Sequence, residues 1–160
     1  MGFDGSDGCK KFNVGFWNDI THLHTCDVTK VFSFVNEEET EILFDVISMW
    51  EVFEHIQEND CSLILSNIKK NFSDKGIFVG SISTLEYVNS ETGVPYHVTI
   101  KDEEWWRELF YDNGLEFVES EFDFHEYCRG VGSRFQDPHS YRKYPSAGFH
   151  FVAKKSMTSS

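Results

Sequence analysis

The sequence predicts an α/β domain in which buried strands alternate with amphipathic helices. The run Phe44-Asp45-Val46-Ile47-Ser48 has the apolar character of a strand covered on both faces. Its continuation changes period. Val52, Phe53 and Ile56 fall on one face of a helical turn, so a strand over 43–48 is followed by a helix or turn. Further on, a helical stripe of Leu63, Ile64, Ile68 and Phe72 leads to a second buried run, Ile77 to Ser83. A crevice beyond the carboxyl end of such strands is where open α/β sheets hold ligands.

The chain has 160 residues, enough for one domain, and 40% hydrophobic with 16% aromatic content fits a packed core. Fourteen basic against 27 acidic residues give a net charge of −13, which repels a phosphate backbone and disfavours nucleic acid as the main partner. Cys9, Cys26, Cys61 and Cys128 form no Cys-x-x-Cys pair, which argues against a zinc knuckle or redox motif and for reduced thiols in the cytoplasm. No apolar run reaches membrane-spanning length and no signal peptide is recognisable.

Taken in order, residues 2–4 read as a short strand running into the Gly-rich turn Asp4-Gly5-Ser6-Asp7-Gly8. The turn lacks the bidentate acid of a calcium loop and the Gly-Lys-Ser/Thr ending of a phosphate loop, which leaves a plain surface turn as its rival reading. Residues 9–20 are a short helix or irregular connection. Residues 22–26 alternate as a strand ending near Asp27, with His22 and His24 on one face; two histidines without a third ligand make no metal site, and no metal ligand is assigned. The acidic run Glu37–Glu41 is read as a solvated loop or an exposed helix start. Asp60 is expected to cap a helix reaching about Phe72, with Asp74-Lys75-Gly76 breaking it. A strand follows at 77–82, in which Gly80 permits close approach of a ligand or backbone. Asp102 caps a helix with Trp105, Trp106, Leu109 and Phe110 on its core face and Gly114 as its stop. Strands at 117–124 and 148–154 flank a long loop, and residues 156–160 form a disordered tail.

The stretch Asp45-Val46-Ile47-Ser48-Met49-Trp50, continuing as Glu51-Val52-Phe53-Glu54-His55-Ile56, resembles the fourth motif of class I S-adenosylmethionine-dependent methyltransferases. The turn at Asp4 resembles the second motif of that family, and Asp27-Val28 the third, in the family's order. The resemblance extends over about residues 2–155 and implies a Rossmann-like, mostly parallel sheet with helices on both faces and an antiparallel last strand. It also implies S-adenosylmethionine as cofactor. The cofactor-binding positions it carries over are Asp4, Gly5, Ser6, Asp27, Val28, Ser48, Met49, Trp50 and Glu51. Asp4 would accept from the ribose hydroxyls, a task that suits a carboxylate because it offers acceptors to two neighbouring donors.

One part of the family pattern is missing. No strand with a Gly-x-Gly turn precedes Asp4, and the Gly-x-Gly at Gly130 and Gly132 lies in the late loop. In family topology the missing first strand lies between the strands that carry Asp4 and Asp45. Residues 1–155 are therefore expected to form a partial, truncated or split methyltransferase domain, with those two strands facing each other across a gap or closed up.

Function follows on these terms. The segment Tyr96-His97-Val98-Thr99 before a Trp-Trp helix resembles small-molecule and sugar-modifying members of the family. His97 is the candidate base, set against a plain polar loop residue; His55 is read as capping or packing. Tyr96, Arg129 and Arg134 are the candidate acceptor-binding residues, the arginines because their planar fork suits an anionic or sugar-like molecule, with a solvated loop as the rival. The expected activity is methyl transfer to a small-molecule or sugar-like acceptor. The alternative is a non-catalytic pseudo-methyltransferase fragment that binds a partner, either a complementing N-terminal chain or a second copy, through its open sheet edge. An acidic metal-binding protein has only scattered acids and histidines behind it.

Overall fold

In the computed structural model, residues 1–119, 141 and 144–157 are described. The chain order is β1 (Gly2–Asp4), α1 (Gly8–Lys11), β2 (Leu23–Thr25), β3 (Phe44–Trp50), α2 (Glu58–Lys70), β4 (Phe72–Ser83), α3 (Glu103–Asp112), β5 (Leu115–Phe117) and β6 (Gly148–Lys155). Short 3-10 turns occupy Val14–Asp19, Phe53–His55 and Pro145–Ala147.

The strands form two sheets. β1 and β2 pair in parallel, and a second sheet runs β3-β4-β6-β5. β3 and β4 are parallel, while β6 runs antiparallel to both β4 and β5. The α/β class, the parallel strands and the antiparallel last strand are those expected. β5 consequently runs in the direction of β4.

The main hydrophobic cluster lies on one face of the larger sheet. β4 and β6 set Phe78 opposite Ala153, Gly80 opposite Phe151 and Ile82 opposite Phe149, and directly opposed residues share a face. On that face α2 contributes Cys61, Ile64, Leu65 and Ile68, and α3 contributes Trp106 and Phe110, all buried. Phe78 stacks on Phe110 at 5.8 Å between centroids, and Phe151 packs edge-on to both. α2 carries Glu58 and Asp60 in its first turn and Lys69 and Lys70 in its last, which complements the helix dipole.

Several boundaries differ from expectation. β3 continues past Ser48 to Trp50, because its pairing with β4 runs through Trp50 and Ser81. Of the helix or turn expected next, the structure has a single 3-10 turn at Phe53–His55. Asp60 does not cap α2. Gln57 holds that position and Asp60 sits in the first turn with its amide bonded to the Gln57 carbonyl. Leu63 is half-buried while Leu65 is buried, since the core stripe is centred one position away. Asp74-Lys75-Gly76 lies within β4, and the helix ends earlier, at Lys70, with Asn71 as its cap. The strand expected to reach Phe124 is described over Leu115–Phe117, and its part from residue 120 on lies outside the described residues. Ser156, assigned to the tail, is buried and donates its amide to the Gly114 carbonyl at 3.0 Å. The cap at Asp102 is present, with its carboxylate accepting from the Trp105 amide at 2.9 Å.

β1 and β3 face each other across a gap. The Gly2 amide donates to His22 and the Asp4 carbonyl accepts from Cys26, so in a parallel ladder the backbone groups of Phe3 point away from β2, into the gap. Alternate groups of β3 likewise face away from β4. Among the described residues no strand pairs with either edge. Val46, in a sequence suited to a buried strand, is therefore 58% exposed.

Candidate functional site

The gap between the sheets is a cleft of about 560 Å³. Phe32, Phe34, Phe44, Ile64 and Ile68 give it an apolar depth, and Asp4, Gly5 and Ser48-Met49-Trp50 also line it. The Asp4 turn folds back on its own carboxylate, whose Oδ1 accepts from the Ser6 amide at 2.7 Å and whose Oδ2 lies 3.6 Å from the Cys9 thiol. A carboxylate has about four acceptor sites, so Asp4 keeps capacity for a further donor.

Of the residues expected to hold a cofactor, Asp4, Gly5, Val28, Ser48, Met49 and Trp50 line this cleft together. Ser6 serves the turn itself, its Oγ accepting from the Gly8 amide. Asp27 is engaged locally and is not among the residues that line the cleft. Its Oδ1 accepts from the Thr29 hydroxyl at 2.6 Å and the Thr29 amide at 3.0 Å, and these bonds hold its carboxyl below the usual range. Glu51 is turned away from the cleft lining. Its Oε1 accepts from Ser81 Oγ at 2.7 Å and from the Tyr141 hydroxyl, and its backbone lies at φ 53°, a region costly for a residue with a Cβ.

Asn67 escaped the sequence reading. Its amide nitrogen donates to the Val28 carbonyl at 3.0 Å and the Lys30 carbonyl at 2.7 Å, clipping the turn that carries Val28 onto α2. A signal was available: Ile64, Asn67, Ile68 and Asn71 share one helical face, so a polar residue on a core stripe needed a buried partner.

A second group of side chains gathers where β3 and β4 end. The Val98 and Thr99 amides both donate to the Glu54 carbonyl, and Thr99 Oγ1 donates to the Ile56 carbonyl at 2.6 Å. These bonds staple the segment 96–99 onto the turn 53–56. Glu54 is fully buried, His97 is buried and His55 is half-buried. His55 Nδ1 lies 2.9 Å from the Tyr96 carbonyl, and His97 Nδ1 lies 2.6 Å from the Leu85 carbonyl. A carbonyl oxygen only accepts, so both Nδ1 atoms carry the proton and both Nε2 atoms keep a lone pair in the neutral rings. Tyr96 is 59% exposed and packs edge-on to His55. Arg129 and Arg134 lie outside the described residues.

Cys9, Cys26 and Cys61 are free thiols, and burial pushes Cys61 up to about 12, which removes it as a nucleophile at neutral pH. Among the described residues no helix is long and apolar enough to cross a membrane.

A family model described as a methyltransferase domain matches residues 2–135. No curated protein sequence matches the chain. Solved structures resemble it in fold. One is an S-adenosylmethionine-dependent methyltransferase from Clostridium acetobutylicum, with 9% identity, a TM-score of 0.61, and coverage of 96% of this chain and 74% of that one. Another is a 1,6-didemethyltoxoflavin-N1-methyltransferase from Burkholderia thailandensis with bound 1,6-didemethyltoxoflavin and S-adenosylhomocysteine (14% identity, TM-score 0.58, 96% and 60% covered). A third match is to a Haloferax volcanii complex between the Trm112 methyltransferase activator and a putative methyltransferase (16% identity, TM-score 0.58, 96% and 70% covered). The chain thus spans 60–74% of the length of these three.

Proposed function

The chain belongs to the methyltransferase-domain family, and from that premise we propose that it binds S-adenosylmethionine in the cleft between β1 and β3 and methylates a small-molecule or sugar-like acceptor. The observation that carries this is the convergence of the Asp4 turn with Ser48-Met49-Trp50 on one cleft. The fit is one of chemistry. Asp4 offers a carboxylate with acceptor capacity to a ribose diol, and Val28 and Met49 offer apolar contact to a flat ring. When bound, the cofactor supplies an electrophilic methyl group on a sulfonium. The protein's part is mainly to position the acceptor in line with it, and to remove a proton where the acceptor is a hydroxyl.

His97 is the proposed base. Its Nδ1 is anchored on the Leu85 carbonyl, so the remaining Nε2 is the atom that takes the proton. Tyr96, exposed beside it, is the proposed acceptor contact, with Arg129 and Arg134 as further contacts for an anionic or sugar-like group. Residues 1–155 form the proposed domain and the cytoplasm its proposed compartment.

Calorimetry with S-adenosylhomocysteine on the purified chain tests the cofactor reading. Stoichiometric heat, lost in Asp4→Ala, supports it; no heat at all removes it. One observation favours the second reading, a partner-binding module: among the described residues no strand pairs with the edges of β1 and β3 that border the cleft. An extended segment of another chain would pair with both edges at once. Absence of cofactor binding together with self-association in sedimentation would favour that module.

A further inference from the structure

We propose that Glu54, His55 and His97 form a binding site for one divalent first-row transition ion, with Zn²⁺ as the best match. One ligand atom from each residue lies within 4.8 Å of the other two. The three arrive by different routes. Glu54 and His55 are adjacent in the 3-10 turn after β3, while His97 is brought in by the backbone bonds from Val98 and Thr99 to Glu54. The cluster is thus fixed by main chain rather than by chance meeting of surface side chains.

The backbone contacts of the two histidines fit metal ligation. Each histidine donates its Nδ1 proton to a backbone carbonyl, Tyr96 for His55 and Leu85 for His97. This pattern fixes the ring orientation and leaves Nε2 as the ligating nitrogen. The ring centroids are 4.8 Å apart and nearly perpendicular, at 79°. Glu54 is 0% exposed, so packing holds its side chain in place within the cluster. Two imidazoles with one carboxylate suit Zn²⁺ and its neighbours; Mg²⁺ and Ca²⁺ take all-oxygen sets. Metal–ligand bonds of about 2.0–2.2 Å draw the three atoms closer together than they stand here. A chain with a net charge of −13 also concentrates cations.

Three protein ligands leave a fourth position open, as catalytic rather than structural zinc sites do. Insofar as the methyl-transfer reading holds, that position would take the acceptor's hydroxyl. The ion would lower the pKa of a bound hydroxyl so that its proton passes to solvent water before methyl transfer, and His97 would act as ligand in place of base.

The test starts from full-length chain stripped with chelator and titrated with Zn²⁺, with Co²⁺ as a spectroscopic probe. One ion per chain is expected, with micromolar or tighter affinity and visible Co²⁺ bands of a nitrogen–oxygen ligand set. His55→Ala and Glu54→Gln each weaken binding by at least about 10–100-fold, while His24→Ala, outside the cluster, leaves it unchanged. Because His97 is buried and its removal threatens folding, half-buried His55 carries the decision, with circular dichroism confirming the fold of the variant. Lack of stoichiometric binding in the wild type, or binding that His55→Ala leaves intact, overturns the site. Parallel calorimetry with S-adenosylhomocysteine separates the two readings: Zn²⁺ binding without cofactor binding keeps the metal site and sinks the methyltransferase, and the reverse result sinks the metal site alone.

Discussion

Gly80 of β4 sits so close to the carbonyl oxygen of Met49 on β3 that no Cβ fits between them. The Phe151 ring closes the same space from the other side, 2.9 Å from where a Cβ would lie. Gly80→Ala is therefore expected to push β4 from β3 and cost about 1–3 kcal/mol through overpacking. Because Ser48, Met49 and Trp50 line the cleft, cofactor affinity should fall with stability. Chemical unfolding of the variant beside the wild type checks the first effect; an unchanged midpoint would show that the strands have room to spare.

Asp4 is expected to matter to cofactor binding more than Asp27. Asp27 bonds to Thr29 and does not line the cleft, whereas Asp4 opens onto it. Asp4→Ala should weaken S-adenosylhomocysteine binding by roughly 1.5–3 kcal/mol, the range of a hydrogen bond to a charged group. Asp27→Ala should have a smaller effect. Isothermal titration of both variants decides, and equal losses would contradict the ranking.

Asn67→Ala removes two hydrogen bonds and strands the Val28 and Lys30 carbonyls. A loss of about 1–3 kcal/mol in stability is expected. Hydrogen exchange should rise in residues 26–31 before it rises in α2. Uniform acceleration along the chain would mean that Asn67 supports the core alone.

His150 gives a signed pH dependence. Burial holds its pKa below the usual value, opposed by the nearby Glu51 carboxylate; Trp50 and Tyr141 pack against the ring. The unfolded chain therefore takes up a proton more readily than the folded one. The contribution of neutral His150 is complete above the unfolded pKa of about 6.5 and is lost as pH falls below it. His150→Phe should flatten stability between about pH 5 and pH 7. Urea midpoints across that window measure it, and a parallel fall in wild type and variant would assign the dependence elsewhere.

Asp102→Ala should lower stability by about 1 kcal/mol by leaving the Trp105 amide uncapped. For a domain of this size that is about 2–4 °C in Tm. A thermal melt suffices, with Asp102→Asn expected to restore most of the loss.

The order of elements was legible from local pattern. The apolar run at 44–48, the stripe on α2 and the Asp102 cap each depend on residues close in sequence, where period and capping chemistry act directly. The convergence of Asp4 with Ser48-Met49-Trp50 was legible in outline, because motif order along the chain carries topology. Strand ends were not: β3 reaches Trp50 because β4 offers Ser81 as a partner, a long-range pairing that no local pattern encodes. The direction of the Glu51 side chain likewise depends on Ser81 and Tyr141, far along the chain. Sequence alone made His55 and His97 two unrelated histidines. Only the tertiary fold decided that backbone bonds to Glu54 bring them together, because such bonds carry no side-chain signature for a sequence to display.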